Sequence, residues 1–180
     1  RLLWKMYRRR LCFEATRDSL ISVSGGLDFK MGGPAVELLK PGFVPRRTLY
    51  GFINRMDVDP LLTTFDFPNP AATSGQRETT TVAPQSLYLM NNAFVIEQAE
   101  AMAMRIYEGA ETKRDRVSSA FAIAFARSAS NKEIDDALAY MRNFIIRAGT
   151  DSQNRQKIEK LALITFCQSL LMSAEFRYLN

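Results

Sequence analysis

The chain has 180 residues, 47% of them hydrophobic, enough apolar material to bury a substantial core and to predict one domain over residues 1–180. Its 24 Lys and Arg against 19 Asp and Glu leave a net charge of +5, a mild bias toward acidic partners. The chain contains no histidine, which excludes His-based general acid/base chemistry, the usual serine and cysteine triads, and His ligation of zinc or haem. No apolar run approaches the ~18–20 residues that span a bilayer.

The sequence opens at Arg1 inside an amphipathic pattern, Leu2, Leu3, Trp4 and Met6, which predicts a fragment of a longer protein. Leu2 to about Val23 reads as a helix without interior Gly or Pro, offering Leu3, Met6, Phe13, Leu20 and Ile21 for burial. Lys5, Arg8, Arg9, Arg10 and Arg17 crowd it. They suit an anionic surface on one reading, and a solvated face or partners for carboxylates on the plainer one. Arg10, Glu14 and Arg17 share one face by helical spacing, and Glu14 also reaches toward Asp18. A carboxylate between two guanidinium groups is an ion-pair scaffold, and becomes a catalytic acid only beside a cleft. The expected partners of this set are Arg77 or Glu78, further along the chain.

Ser24-Gly25-Gly26 predicts the end of that helix, since glycine supplies the left-handed cap. Met31-Gly32-Gly33-Pro34 and Lys40-Pro41-Gly42 read as turns and lack the phosphate-loop pattern. Arg46 to Arg55 is rich in aromatic and β-branched residues and predicts a strand. Tyr50 and Phe52 would share one face, Leu49 and Ile53 the other, with Gly51 marking a bulge or a close backbone contact. Its expected partner, in a small hairpin, is Thr79 to Val82. Asp57, Asp59 and Asp66 offer oxygen ligands, but not at the spacing of a calcium loop, so no metal site is predicted. Asp59-Pro60 instead predicts a capped helical turn.

Gln76 to Gln98 joins a loop-rich front half to a helical back half. A helix should begin at Ala83 or Pro84, with Leu87, Met90, Phe94 and Val95 at helical spacing and Asn91-Asn92 dividing it in two. Phe94, Gln98, Met102 and Ile106 then line a helix stopping near Gly109, and Arg116 to about Arg127 forms another. Ser130-Asn131-Lys132-Glu133 is a capping box leading a helix to Gly149. The last helix, from about Arg155 to Ser173, is apolar on more than one face and predicts a central position. Cys12 and Cys167 fit no zinc or haem-attachment spacing; they either bridge the terminal helices or stay as buried thiols. The fold class predicted is mainly α, an irregular helical bundle with a loop-rich front half and at most a small β-hairpin.

Several passages in order, Arg8-Arg9-Arg10-Leu11-Cys12-Phe13-Glu14-Ala15-Thr16-Arg17-Asp18-Ser19-Leu20, Met31-Gly32-Gly33-Pro34, Arg46-Arg47-Thr48-Leu49-Tyr50, Thr80-Thr81-Val82-Ala83-Pro84-Gln85-Ser86-Leu87 and the ending from Leu170 to Leu179, carry a resemblance. The sequence resembles the C-terminal conserved domain of planctomycete-type proteins that also carry cytochrome c-like modules, the family labelled domain of unknown function fifteen fifty-three. The resemblance implies an extracytoplasmic location and upstream modules of the same polypeptide as partners. It supplies no catalytic residues, and without His or a Cys-x-x-Cys-His motif any haem would belong to another module.

The leading expectation is a non-catalytic structural or protein-interaction domain of a multidomain extracytoplasmic protein, needing no cofactor. A carboxylate-dependent hydrolase is the alternative, with Glu14, Asp18 and Asp57 or Asp59 as acid/base candidates and Arg46 or Arg47 binding an anionic substrate. A third reading is a carbohydrate- or polyanion-binding module using Trp4, Tyr7, Tyr50 and the arginines.

Overall fold

The computed structural model describes residues 7–38, 44–149 and 154–179. The described chain is mainly α. Strands β1 (Arg9–Arg10) and β2 (Tyr178–Leu179) pair antiparallel, and eight helices follow in chain order: α1 (Phe13–Ser24), α2 (Pro60–Thr64), α3 (Ala83–Asn91), α4 (Ala93–Gly109), α5 (Lys113–Phe125), α6 (Asn131–Ala148), α7 (Arg155–Met172) and α8 (Ala174–Arg177).

The helix ends follow local chemistry. Gly25 closes α1 in the left-handed conformation at φ 87°. Asp59 caps α2 by accepting the Leu61 N–H at 2.8 Å, with Pro60 in the first turn where its missing N–H costs nothing. Asn92 terminates α3 and caps α4, accepting from the Phe94 N–H. The capping box at Ser130 and Glu133 opens α6.

The main core lies among α4, α5, α6 and α7, with α1, α3 and α8 against it; Val95, Ala99, Met102, Val117, Ala120, Ala162, Cys167 and Leu171 have no measurable exposure. α7 is central, as its apolar residues on several faces predict. A second, smaller cluster of Phe13, Leu62 and Phe65 sits under the front loops. Tyr88 of α3 packs against both. Its phenol, half-buried between the two clusters, is pushed up to about 12 by desolvation.

Four expectations need correction. Arg9 and Arg10 are not helical: they pair with Leu179 and Tyr178, so α1 begins only at Phe13, and the part of the expected helix from Leu2 to Met6, with Trp4, lies outside the described residues. Arg46 to Arg55 is not a strand. Thr48–Tyr50 forms a single 3-10 turn, and only isolated bridges Asp28↔Arg46 and Val36↔Gly51 flank it. The reason is competition for backbone groups: Asp18 accepts the Thr48 N–H at 2.7 Å and Arg17 donates to the Arg46 carbonyl at 3.0 Å, so a ladder has nothing to pair with. Thr79 to Val82 accordingly forms no hairpin with it. On α3 the buried side chains are Gln85 and Leu89, whereas Leu87 and Met90 are exposed. α5 also starts earlier than expected, at Lys113, because Thr112 caps it.

Gly51 is a close-contact glycine: a Cβ there would lie 2.1 Å from Leu38 Cδ1 and 3.0 Å from the Thr48 carbonyl oxygen. The Lys40-Pro41-Gly42 turn lies outside the described residues. Both cysteines are unbonded, Cys12 half-buried and Cys167 fully buried, its thiol pushed up to about 12 by burial. No described helix is long and apolar enough to cross a membrane.

Candidate functional site

In the front half, the polar side chains singled out by the sequence are spread through the loops as individual ties. Glu14 accepts two hydrogen bonds from Arg77, at 2.9 and 2.7 Å. Burial pushes its carboxyl up, but the Arg77 bonds, its own backbone and Cys12 together hold it below the usual range. Arg10 does not reach Glu14. It pairs with Asp66 at 2.5 Å, and Asp66 also accepts from the Thr80 N–H at 2.9 Å and the Thr80 hydroxyl at 2.7 Å. Asp66 holds a left-handed backbone at φ 59°, a conformation Asp tolerates, and so ties β1, the end of α2 and the junction together.

Arg17 is 3% exposed and also leaves Glu14 alone. It donates to the carbonyls of Arg46 (3.0 Å) and Val44 (2.9 Å) and to the Thr48 hydroxyl (3.2 Å). Burial lowers its affinity for the proton, an effect opposed by Asp18 at 3.9 Å. Asp18 is itself occupied by the Thr48 N–H and hydroxyl. Arg46 donates to the carbonyls of Pro34, Lys30 and Gly32 and stacks 4.1 Å from the centre of the Tyr50 ring, whose hydroxyl accepts from the Gly32 N–H. Arg46 is therefore the staple of the Gly32-Gly33 turn. Arg47 and Glu78 are exposed, and Tyr7 is 92% exposed.

Asp57 and Asp59 line a small cavity of about 280 Å³ with Glu37, Leu38, Phe52 and Leu62. Glu14 and Asp18 do not line it, so the structure does not bring the four acid/base candidates to one cleft. Asp66 points away to Arg10 and Thr80, separating the three aspartates considered as oxygen ligands. Among the described residues no group of three His, Cys, Asp or Glu is placed to hold a metal ion.

The larger cavity, about 610 Å³, lies in the helical half at the end of the bundle where α4 and α6 finish and α5 and α7 begin. Leu138, Met141, Ile145, Ala162 and Leu163 supply its apolar wall. Five cations surround it: Lys113, Arg114 and Arg116 from the start of α5, Arg142 from α6 and Arg155 from the start of α7. Glu159, the one carboxylate among the described lining residues, accepts from Lys113 at 3.0 Å and stands 3.7 Å from Arg155. That hydrogen bond, opposed by burial, leaves its carboxyl below the usual range. The Arg116 guanidinium sits over the Tyr107 ring, 4.1 Å from its centre, with the Lys160 ammonium 4.9 Å from the same centre. Among the described residues this arrangement sets an apolar wall beside more cations than carboxylates.

A family profile described as Protein of unknown function (DUF1553) matches residues 1–141. The chain belongs to this family. No curated protein and no solved structure matches the chain. In this DUF1553 domain the match ends at Met141, inside α6, so the cavity draws Lys113, Arg114 and Arg116 from within the matched residues and Arg142, Ile145, Arg155 and Glu159 from beyond them.

The sequence reading missed the cavity because it treated the back half only as a source of core stripes. A signal was nonetheless present. Lys113, Arg114 and Arg116 crowd the first turn of α5, and Arg155 and Lys157 the first turn of α7. A helix N-terminus disfavours positive charge, so basic side chains gathered at two such ends suggest a purpose other than helix stability.

Proposed function

We propose that this DUF1553 domain is a non-catalytic interaction domain of a multidomain, extracytoplasmic protein, and that it docks onto upstream modules of the same polypeptide. The observation that carries this reading is the apolar surface of the loop layer. Phe29, Met31, Leu49, Phe52 and Met56 are each more than half exposed on the segment from 28 to 56. We read these exposed side chains as the ones that a partner covers. Behind them Arg17 and Arg46 tie the loops together through hydrogen bonds to backbone carbonyls, which favours one shape of the surface before any partner arrives.

The carboxylates argue in the same direction. Glu14 is committed to Arg77, Asp18 to Thr48 and Asp59 to the cap of α2, and Glu14 and Asp18 lie outside the cavity that Asp57 and Asp59 line, so the hydrolase alternative lacks a single cleft holding its four candidates. The extracytoplasmic location and the upstream partners come from the family resemblance.

The test is binding of the purified domain to separately produced upstream modules, with Leu49→Ser/Phe52→Ser as the variant. We expect saturable binding to the modules that weakens at least about tenfold in the double variant, the scale of losing an apolar anchor. A domain that binds neither those modules nor any other macromolecule overturns the proposal. Cell fractionation of the full-length protein tests the location directly.

A further inference from the structure

The cations around the cavity between α4, α5, α6 and α7 are used differently from the arginines of the front half. Arg17 and Arg46 drive their donors into backbone carbonyls. At the cavity, Arg142 has no ionic or hydrogen-bonding partner among the described residues. Arg114 reaches Asn131 at 2.9 Å and Asp135 at 3.5 Å; that aspartate is 70% exposed. Arg116 gives its Nε–H to the Ala110 carbonyl at 3.1 Å and lays its face on Tyr107. Glu159 is shared between Lys113 and Arg155, which leaves Arg116 and Arg142 without a carboxylate partner among the described residues. Behind them lies an apolar wall in which Met141, Ala162 and Leu163 are buried and Leu138 and Ile145 half-buried.

We propose that this cavity binds a small amphipathic organic anion, a carboxylate on an alkyl or aryl body. Its head lies against Arg116 and Arg142 and its body over Leu138, Ile145 and Leu163. Two halves of the site make the assignment. An inorganic anion would leave the apolar wall in contact with water, while a neutral apolar guest would leave the guanidinium groups unmatched beside it. The volume, about 610 Å³, falls within the ~300–1,000 Å³ typical of small-molecule sites. The wall is concave and enclosed by four helices, where a nucleic acid would need an extended basic track. The site is on different elements from the apolar loop layer, so the two proposals stand or fall separately.

Titration calorimetry of the purified domain with octanoate, octan-1-ol and inorganic phosphate tests the assignment. Octanoate should bind saturably with one site, and both octan-1-ol and phosphate at least about tenfold more weakly, because each satisfies only one half of the cavity. Arg142→Gln should weaken octanoate about tenfold without moving the melting temperature, since Arg142 is exposed and has no ionic or hydrogen-bonding partner among the described residues. Methyl NMR should show octanoate-dependent shifts at Leu138, Ile145 and Leu163 and none at Leu87. Ile145→Glu, which places a carboxylate on the wall, should abolish binding; if it unfolds the domain, Arg142→Gln decides alone. Octanoate that fails to saturate, that binds no tighter than octan-1-ol, that shifts methyls elsewhere, or that ignores Arg142→Gln overturns the proposal.

Discussion

The loop-rich front half and the helical back half solve the same problem with different interactions. From α4 to α7 the chain buries continuous apolar stripes, and the polar groups of the backbone are satisfied inside the helices themselves. Among the described residues from Gly25 to Val82 the regular elements are one 3-10 turn and the five residues of α2, so backbone carbonyls need outside partners. Arg17 supplies two of them, Arg46 three and the Gln85 side chain two more, at Thr64 (2.9 Å) and Thr80 (3.3 Å). The difference teaches where to look for function. Arg17 and Arg46 in the front half are scaffold, while Arg142 at the end of the bundle has no ionic or hydrogen-bonding partner among the described residues, which is why the proposed ligand is placed there.

Arg17→Met breaks the comparison most severely. It keeps the apolar stem but strands the part-buried carbonyls of Val44 and Arg46 and leaves Asp18 without its neighbouring cation, at a cost on the order of 3–5 kcal/mol. Hydrogen exchange should locate the damage: amides of 44–52 lose protection while those of α4 and α7 keep theirs. Uniform loss across both halves would show that the front layer has no local stability of its own.

Leu171→Ala is the counterpart in the back half. Leu171 has no exposure and belongs to the main core, so truncation leaves a cavity and costs about 2–4 kcal/mol in urea unfolding. Here exchange should rise in both halves, because α1 and α3 rest on the same core. Protection that persists in the front half would mean that its polar ties, together with the small Phe13, Leu62 and Phe65 cluster, hold it independently.

The sequence was most legible where structure is decided locally. The Gly25 cap, the Asp59-Pro60 start, the Asn91-Asn92 division and the Ser130/Glu133 capping box all depend on residues within one turn of each other. It was least legible where a distant residue overrides local preference. Arg9 and Arg10 look helical until Tyr178 and Leu179, at the other end of the chain, pair with them. Arg46 to Arg55 looks like a strand until Arg17 and Asp18 take its hydrogen bonds. Gln85 looks like a surface residue on α3, and is buried only because the carbonyls of Thr64 and Thr80 face it. The bundle-end cavity lies at the same limit, since nothing short of the helix packing brings residues 113–116 beside 142 and 155.

The smallest effect comes from the tie between α1 and the junction. Arg77 grips Glu14 through two parallel hydrogen bonds and lies 5.4 Å from the centre of the Phe67 ring, a geometry that favours strength. However, the side chains are 41% and 25% exposed, so solvent screens the pair and its value falls to about 0.5–1 kcal/mol. Glu14→Gln keeps the shape and one acceptor while removing the charge, and should lower the melting temperature at pH 7 by only a few degrees. Acid provides the control. The Glu14 carboxyl is held below its ordinary value in the folded chain, so between the folded and unfolded pKa the unfolded state binds more protons. The stabilisation is therefore complete above about pH 5 and disappears as pH falls through the folded pKa. Glutamine does not titrate, so the gap between wild type and variant should close on acidification from pH 7 toward pH 3. A gap that stays constant would assign the effect to packing. A variant as stable as wild type at pH 7 that has lost partner binding would move Glu14 from the scaffold to the interaction surface.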